Sequence, residues 1–205
     1  MYVTPEQSEK IHEDLLKNIN QDYSEKFEFL KKLLTDDDWS FIIKSHSLIE
    51  SLVTELIVNK IDENKLKAVI ERIPLHGEIV SKISISKTYE LIPSDQIKFL
   101  KNISEIRNNI VHKFENLNFT FETYLSNLDK NQKKNWKNSL IWKGMNDQIK
   151  NRIEQEVFQS PKIAIWLSIS SFVNYSLLQI NTLKGNKRID LEAMETTKRI
   201  LKDIK

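Results

Sequence analysis

Apolar residues return at intervals of three and four along most of the chain, the period of a helix with one buried face. Between residues 5 and 34, Leu15, Leu16, Ile19, Tyr23, Phe27, Leu30 and Leu34 keep this spacing and predict one long or two short amphipathic helices. "TDDDWS" (Thr35 to Ser40) breaks the stripe and offers aspartates that can cap the next helix by accepting from its free N–H groups. That helix is predicted from Trp39 to about Asn59, on Ile42, His46, Ile49, Val53, Leu56 and Ile57. A third follows from Glu63 to Ile73 and stops at Pro74. In Leu75 to Leu91, Ile79, Ile83 and Ile85 could suit a strand, but Ile79, Ile83 and Tyr89–Leu91 also fit a helix, the reading preferred here. "IPSD" is a stop and a cap before a helix from Asp95 to about Phe114. "ENLNFTFETY" reads as a loop or short extended piece, and Leu128 to Arg152 is polar and basic. Ser160–Pro161 opens an uncharged helix that "KGNK" (Lys184 to Lys187) should close, leaving a short amphipathic helix over residues 189–204.

The uncharged helix is long enough to cross a bilayer, which takes roughly 20 residues. Between Ile163 and Leu183, however, it carries Ser168, Ser170, Ser171, Asn174, Ser176, Gln179, Asn181 and Thr182. Its large apolar residues, Trp166, Ile169, Val173, Leu177 and Ile180, form a single stripe. The expectation is a central core helix, with no membrane partner.

Composition sharpens this picture. With 205 residues the chain suits one domain with a sizeable core, and only 3 glycines and 4 prolines argue for long helices over many turns. The expected fold is a single all-α bundle of about six or seven helices spanning residues 1–205, with 128–160 as a basic insertion and 161–204 as C-terminal helices. Net charge is +2, so any nucleic-acid contact must come from local charge. There are no cysteines, which excludes disulfides, thiolate metal sites and thiol catalysis. The N-terminus lacks a signal-peptide layout, and a cytoplasmic location is expected.

The chemistry concentrates in "EIRNNIVHKF", Glu105 to Phe114. At about 100° per residue, Leu100, Ile103, Ile106, Ile110 and Phe114 share one apolar face. Arg107 lies at its edge, followed around the cylinder by Asn108 and then His112. An arginine there has two common uses. One is a buried pair with a carboxylate, for which Glu50 is the candidate. The other is anion recognition by its planar donor fork. His112 adds a group that can give or take a proton near neutral pH. Asn108 can orient it or bind a phosphate oxygen. Together they suit cleavage of RNA by its own 2′-hydroxyl, with no metal or other cofactor. Many helices contain an arginine and a histidine at this spacing by chance, so on spacing alone the structural pair is the preferred reading.

The surroundings of these residues resemble a known family. "FLKNISEIRNNIVHKFENLNFTFE" (Phe99 to Glu122) is similar to the signature helix of the HEPN superfamily, an arginine with a polar neighbour and a histidine four to six residues on. "DWSFIIKSHSLIESLVTELIV" resembles the family helix with a His or Ser before "LIE". "SKISISKTYELIPSDQIKFLKNISEIRN" resembles the lead-in of the mannitol operon repressor-like branch. The likeness covers about residues 39–124. It departs at Val111, where that branch usually has alanine. The resemblance implies a helical bundle that homodimerises, its motif helices lining one cleft. It implies metal-independent endoribonuclease activity in a toxin, phage-defence or RNA-processing role, with Arg107 and His112 as the catalytic pair and Asn108 as helper. It also implies RNA as partner, with an antitoxin or operon-encoded protein as a further one. The alternative within the family is a non-catalytic regulatory or protein-interaction module.

His46 and Glu50, four apart on one face, are supporting candidates: Glu50 to hold Arg107, His46 either to back the cleft or to sit as an ordinary buried imidazole. His12 and His76 show no partner pattern, and the four histidines lack metal-ligand spacing, so no metal is expected. In the basic section, Lys133, Lys134 and Lys137 with Trp136 are candidates for RNA contact. The competing reading tucks Trp136 and Trp142 into the core.

Overall fold

The computed structural model describes residues 3–111 and 114–203, and the chain is all-α: no strand occurs among these residues. Its helices are α1 (Pro5–Leu33), α2 (Asp38–Ile61), α3 (Lys67–Arg72), α4 (Lys82–Thr88), α5 (Ser94–Val111), α6 (Phe121–Ser126), α7 (Lys130–Ser139), α8 (Asp147–Glu156) and α9 (Pro161–Asp203). Two 3₁₀ turns, Asn64–Leu66 and Phe114–Asn118, join α2 to α3 and lead from α5 to α6.

The core lies where α2, α5 and the first half of α9 meet. Phe41, Ile42, Ile49 and Leu56 of α2, Phe99, Leu100 and Ile103 of α5, and Ile165, Ile169 and Phe172 of α9 are fully buried. Removing each such side chain from water contributes on the order of 2 kcal/mol. The uncharged stretch is thus the central helix of the bundle. Its buried Ser168 turns its hydroxyl onto the carbonyls of Ala164 and Leu140 (3.0 and 2.8 Å), so the hydroxyl stays satisfied inside.

α1 runs antiparallel to α9. Trp166 Nε1 donates to the Leu30 carbonyl (2.7 Å), Arg188 pairs with Asp14 (2.7 Å), and Gln7 Nε2 donates to Glu192 (3.0 Å). This arrangement overrides the expected break at "KGNK": α9 is one helix of 43 residues. Gly185 sits inside it at a close crossing, where an added Cβ would lie 2.8 Å from Leu15 Cδ1. The glycine, a weak helix former, is used for contact instead of as a stop. Lys187 pairs with Asp62, the left-handed C-cap of α2.

Each aspartate of "TDDDWS" has its own partner. Asp36 pairs with Lys44, and Asp37 caps α2 by accepting from the Ser40 amide (2.9 Å). Asp38 accepts from the Phe121 amide (2.9 Å) and pairs with Lys162 (3.0 Å), tying the starts of α2, α6 and α9 together.

The helix expected over residues 75–91 begins only at Lys82. The amides of Lys82 and Ile83 donate to the carbonyls of Pro74 and Leu75, which closes a loop, and Ser81 forms a capping box with Ser84. The expected extended piece around Phe119–Phe121 reduces to one extended residue, Thr120, the N-cap of α6. These short helices raise the count to nine among the described residues, above the expected six or seven.

Candidate functional site at the end of α5

α2 and α5 cross with small polar residues between them. Ser104 of α5 is 1% exposed and donates to its own helix at Leu100 (2.9 Å). Its oxygen faces His46 Nε2 of α2 at 3.4 Å. His46 is 7% exposed, and burial pushes its imidazole below the usual histidine range. The Glu50 carboxylate opposes that shift, and the positive charges of Arg107 and Lys82 add to it. The imidazole is therefore neutral at pH 7, with Nδ1 3.9 Å from Glu50 Oε2.

One turn along α2, Glu50 does not hold Arg107. Its Oε1 accepts from Lys82 Nζ at 2.9 Å. Lys82, the first residue of α4, is 1% exposed and also donates to the Glu71 carbonyl (3.3 Å). An ammonium this deep gains more from a carboxylate than a half-buried guanidinium does, because its alternative is an uncompensated buried charge. The seam thus contains a fixed cation that the sequence reading did not single out. Its only signal was Glu50, a carboxylate on the same helix face as His46 and beside the apolar stripe, where a nearby cation would neutralise it.

Arg107 is half-buried at the edge of α5, close enough to His46 to oppose its protonation. Its Nη1 donates to Asn108 Oδ1 at 3.1 Å. Among the described residues it makes no ion pair. Asn108 is exposed, so the guanidinium is steadied by a neutral amide at the surface. The remaining donors of the fork have no hydrogen-bond partner among the described residues, and a guanidinium of this kind is able to receive an oxyanion. His112, the expected proton-transfer residue, lies outside the described residues. Beyond it, Asn116 Nδ2 donates to the Asn109 carbonyl (2.7 Å) and so caps the end of α5.

The basic section separates into two kinds of residue. Trp136 is 2% exposed and edge-on to Tyr124 (5.6 Å between centroids), and Trp142 packs on Phe99 (5.4 Å). The expected stacking of a base on Trp136 is therefore corrected: its ring belongs to the core. Lys133, Lys134 and Lys137 lie instead on the outer face of α7, with Lys137 paired to Glu154 at 3.0 Å. No cluster of three or more histidines and carboxylates able to hold a metal occurs among the described residues. Compared with known proteins, the chain matches no family model, no curated protein and no solved structure.

Proposed function

We propose that the chain is a metal-independent endoribonuclease of HEPN type, acting as a homodimer on single-stranded RNA. One observation carries the reading. Glu50, the carboxylate best placed by sequence to neutralise Arg107, is engaged by Lys82, and the guanidinium keeps donors for an outside anion. In this reaction His112 takes the proton of a 2′-hydroxyl and O2′ attacks the adjacent phosphorus. The bond to O5′ then breaks and that oxygen takes up a proton, leaving 2′,3′-cyclic phosphate and 5′-hydroxyl ends. Arg107 binds the non-bridging oxygens, whose negative charge grows during attack. Asn108 holds the plane of the guanidinium through its Oδ1. Seam residues His46 and Ser104 keep α2 against α5 and take no part in proton transfer.

The test is cleavage of single-stranded and transfer RNA in EDTA. Wild type should give cyclic phosphate ends. Arg107→Ala and His112→Ala should each be slower by at least about a hundredfold, the usual scale for losing a charge-stabilising or proton-transfer group. Equal cleavage by all three proteins would locate the activity elsewhere. An inactive wild type would move the reading to a binding or regulatory module of the same fold.

A further inference from the structure

α7 carries Lys130, Lys133, Lys134 and Lys137 at intervals of three and four, which places them in one row about 10 Å long. A capping box fixes the start of this helix: Asp129 accepts from the amides of Asn131 and Gln132. The row forms one wall of a groove of about 920 Å³ running between α6, α7 and the segment joining α8 to α9. The groove also has an apolar surface, made by Leu125, Phe158 and Pro161.

Two features occur together on this wall. First, Lys130, Lys133 and Lys134 stand side by side on one face, and none of them has a carboxylate partner among the described residues. Of the acids nearby, Glu154 is engaged by Lys137, and Glu122 alone lines the groove. Three adjacent ammonium groups repel one another, and the fold holds them together with no ion pair among the described residues. Second, Phe158 is 49% exposed beside them, while both tryptophans of the basic section are buried. A row of ammoniums next to an open aromatic face matches a polyanion that also carries flat π-surfaces.

We propose that this groove binds single-stranded nucleic acid, with Lys130, Lys133 and Lys134 on successive phosphates and Phe158 stacking on an unpaired base. A duplex would contact the lysines but has no base free to meet the ring. An acidic peptide would likewise use the lysines and leave the ring without a partner. Arg107 does not line this groove, so strand binding here is separable from cleavage there.

The experiment is fluorescence anisotropy with a labelled 12-nucleotide 2′-O-methyl oligouridylate, which cannot be cut by 2′-hydroxyl attack, and with oligothymidylate of the same length. Wild type should bind at least one of them. Binding of both identifies the shared backbone and bases as the ligand, and binding of the first alone identifies RNA. The variant Lys130→Ala/Lys133→Ala/Lys134→Ala should bind at least about tenfold more weakly and flatten the salt dependence by about two units of log–log slope. Lys10→Ala/Lys17→Ala/Lys26→Ala, which removes the same charge from α1, should bind as wild type does. Phe158→Ala should lose about fivefold, and Phe158→Trp should retain affinity. Arg107→Ala should still bind, which separates failure of this site from failure of the nuclease reading. The proposal is overturned if neither strand binds or if the two triple variants weaken binding equally. It is also overturned if Phe158→Ala is without effect while polyglutamate displaces the strand as well as unlabelled strand does.

Discussion

Lys82 and Arg107 are two cations on one polar seam, and they are treated in opposite ways. Lys82 is 1% exposed, with its charge matched by Glu50 and its donors turned inward. Arg107, at the outer end of the same seam, is half-buried and rests on the neutral amide of Asn108. Among the described residues Glu50 pairs with Lys82 and not with Arg107, so the carboxylate goes to the cation whose desolvation is the more costly. A charge that is closed by the fold is a structural element. A charge that the fold carries but leaves open at an edge is available to a ligand. His46 marks the boundary, since Glu50 pulls its basicity one way and both cations pull it the other.

The contrast is broken most severely by removing the shared carboxylate. Glu50→Ala leaves Lys82 buried and unpaired and should cost about 3 kcal/mol. In a chain of this length that lowers the unfolding midpoint by about 10 °C, read by calorimetry. Removing the cation instead should be milder. Glu50 is 31% exposed and can turn to water, so Lys82→Met should cost on the order of 1 kcal/mol. The double variant Glu50→Gln/Lys82→Met should return to within about 1 kcal/mol of wild type, because a buried pair replaced by uncharged groups of similar size is close to neutral. If the double variant is as unstable as Glu50→Ala, the pair is not what stabilises the seam.

The sequence reading and the structure agree best where period alone decides. The stripes over α1, α2 and α5 are helices close to their expected bounds, and Pro161 opens α9 as its fixed φ suggests. Agreement fails where tertiary contact outweighs local preference. Gly185 reads as a stop, but its missing side chain is what admits Leu15 of α1. Leu16, Tyr23 and Leu34 belong to the α1 stripe yet stand at the surface, because α1 packs on α9 along a narrower line through Ile11, Leu30 and Leu33. At the candidate site, Arg107 and Asn108 were legible as polar residues bordering an apolar face. The partner of Glu50 was not, since Lys82 opens a seven-residue helix too short to show a period. Likewise, composition could place an aromatic among lysines, but only packing separates the buried Trp136 from the exposed Phe158.

A smaller effect sharpens the boundary at His46. Its folded-state basicity lies below that of a free histidine, so the unfolded chain binds the proton more readily. Its contribution to stability is complete above the unfolded value, about pH 6.5, and is lost as pH falls toward the lowered folded value. Unfolding midpoints taken between pH 7.5 and 5.5 should therefore fall with pH in wild type, and this slope should shrink in His46→Gln. An unchanged slope would place the titrating group elsewhere.

The most direct measurement is the unfolding midpoint of Arg107→Ala beside that of Glu50→Ala. An arginine left open by the fold contributes little to it, so Arg107→Ala should cost no more than about 0.5 kcal/mol and move the midpoint by about 2 °C or less. A fall comparable to that of Glu50→Ala would make the guanidinium a structural charge like Lys82 and contradict the reading of the end of α5 as an anion site.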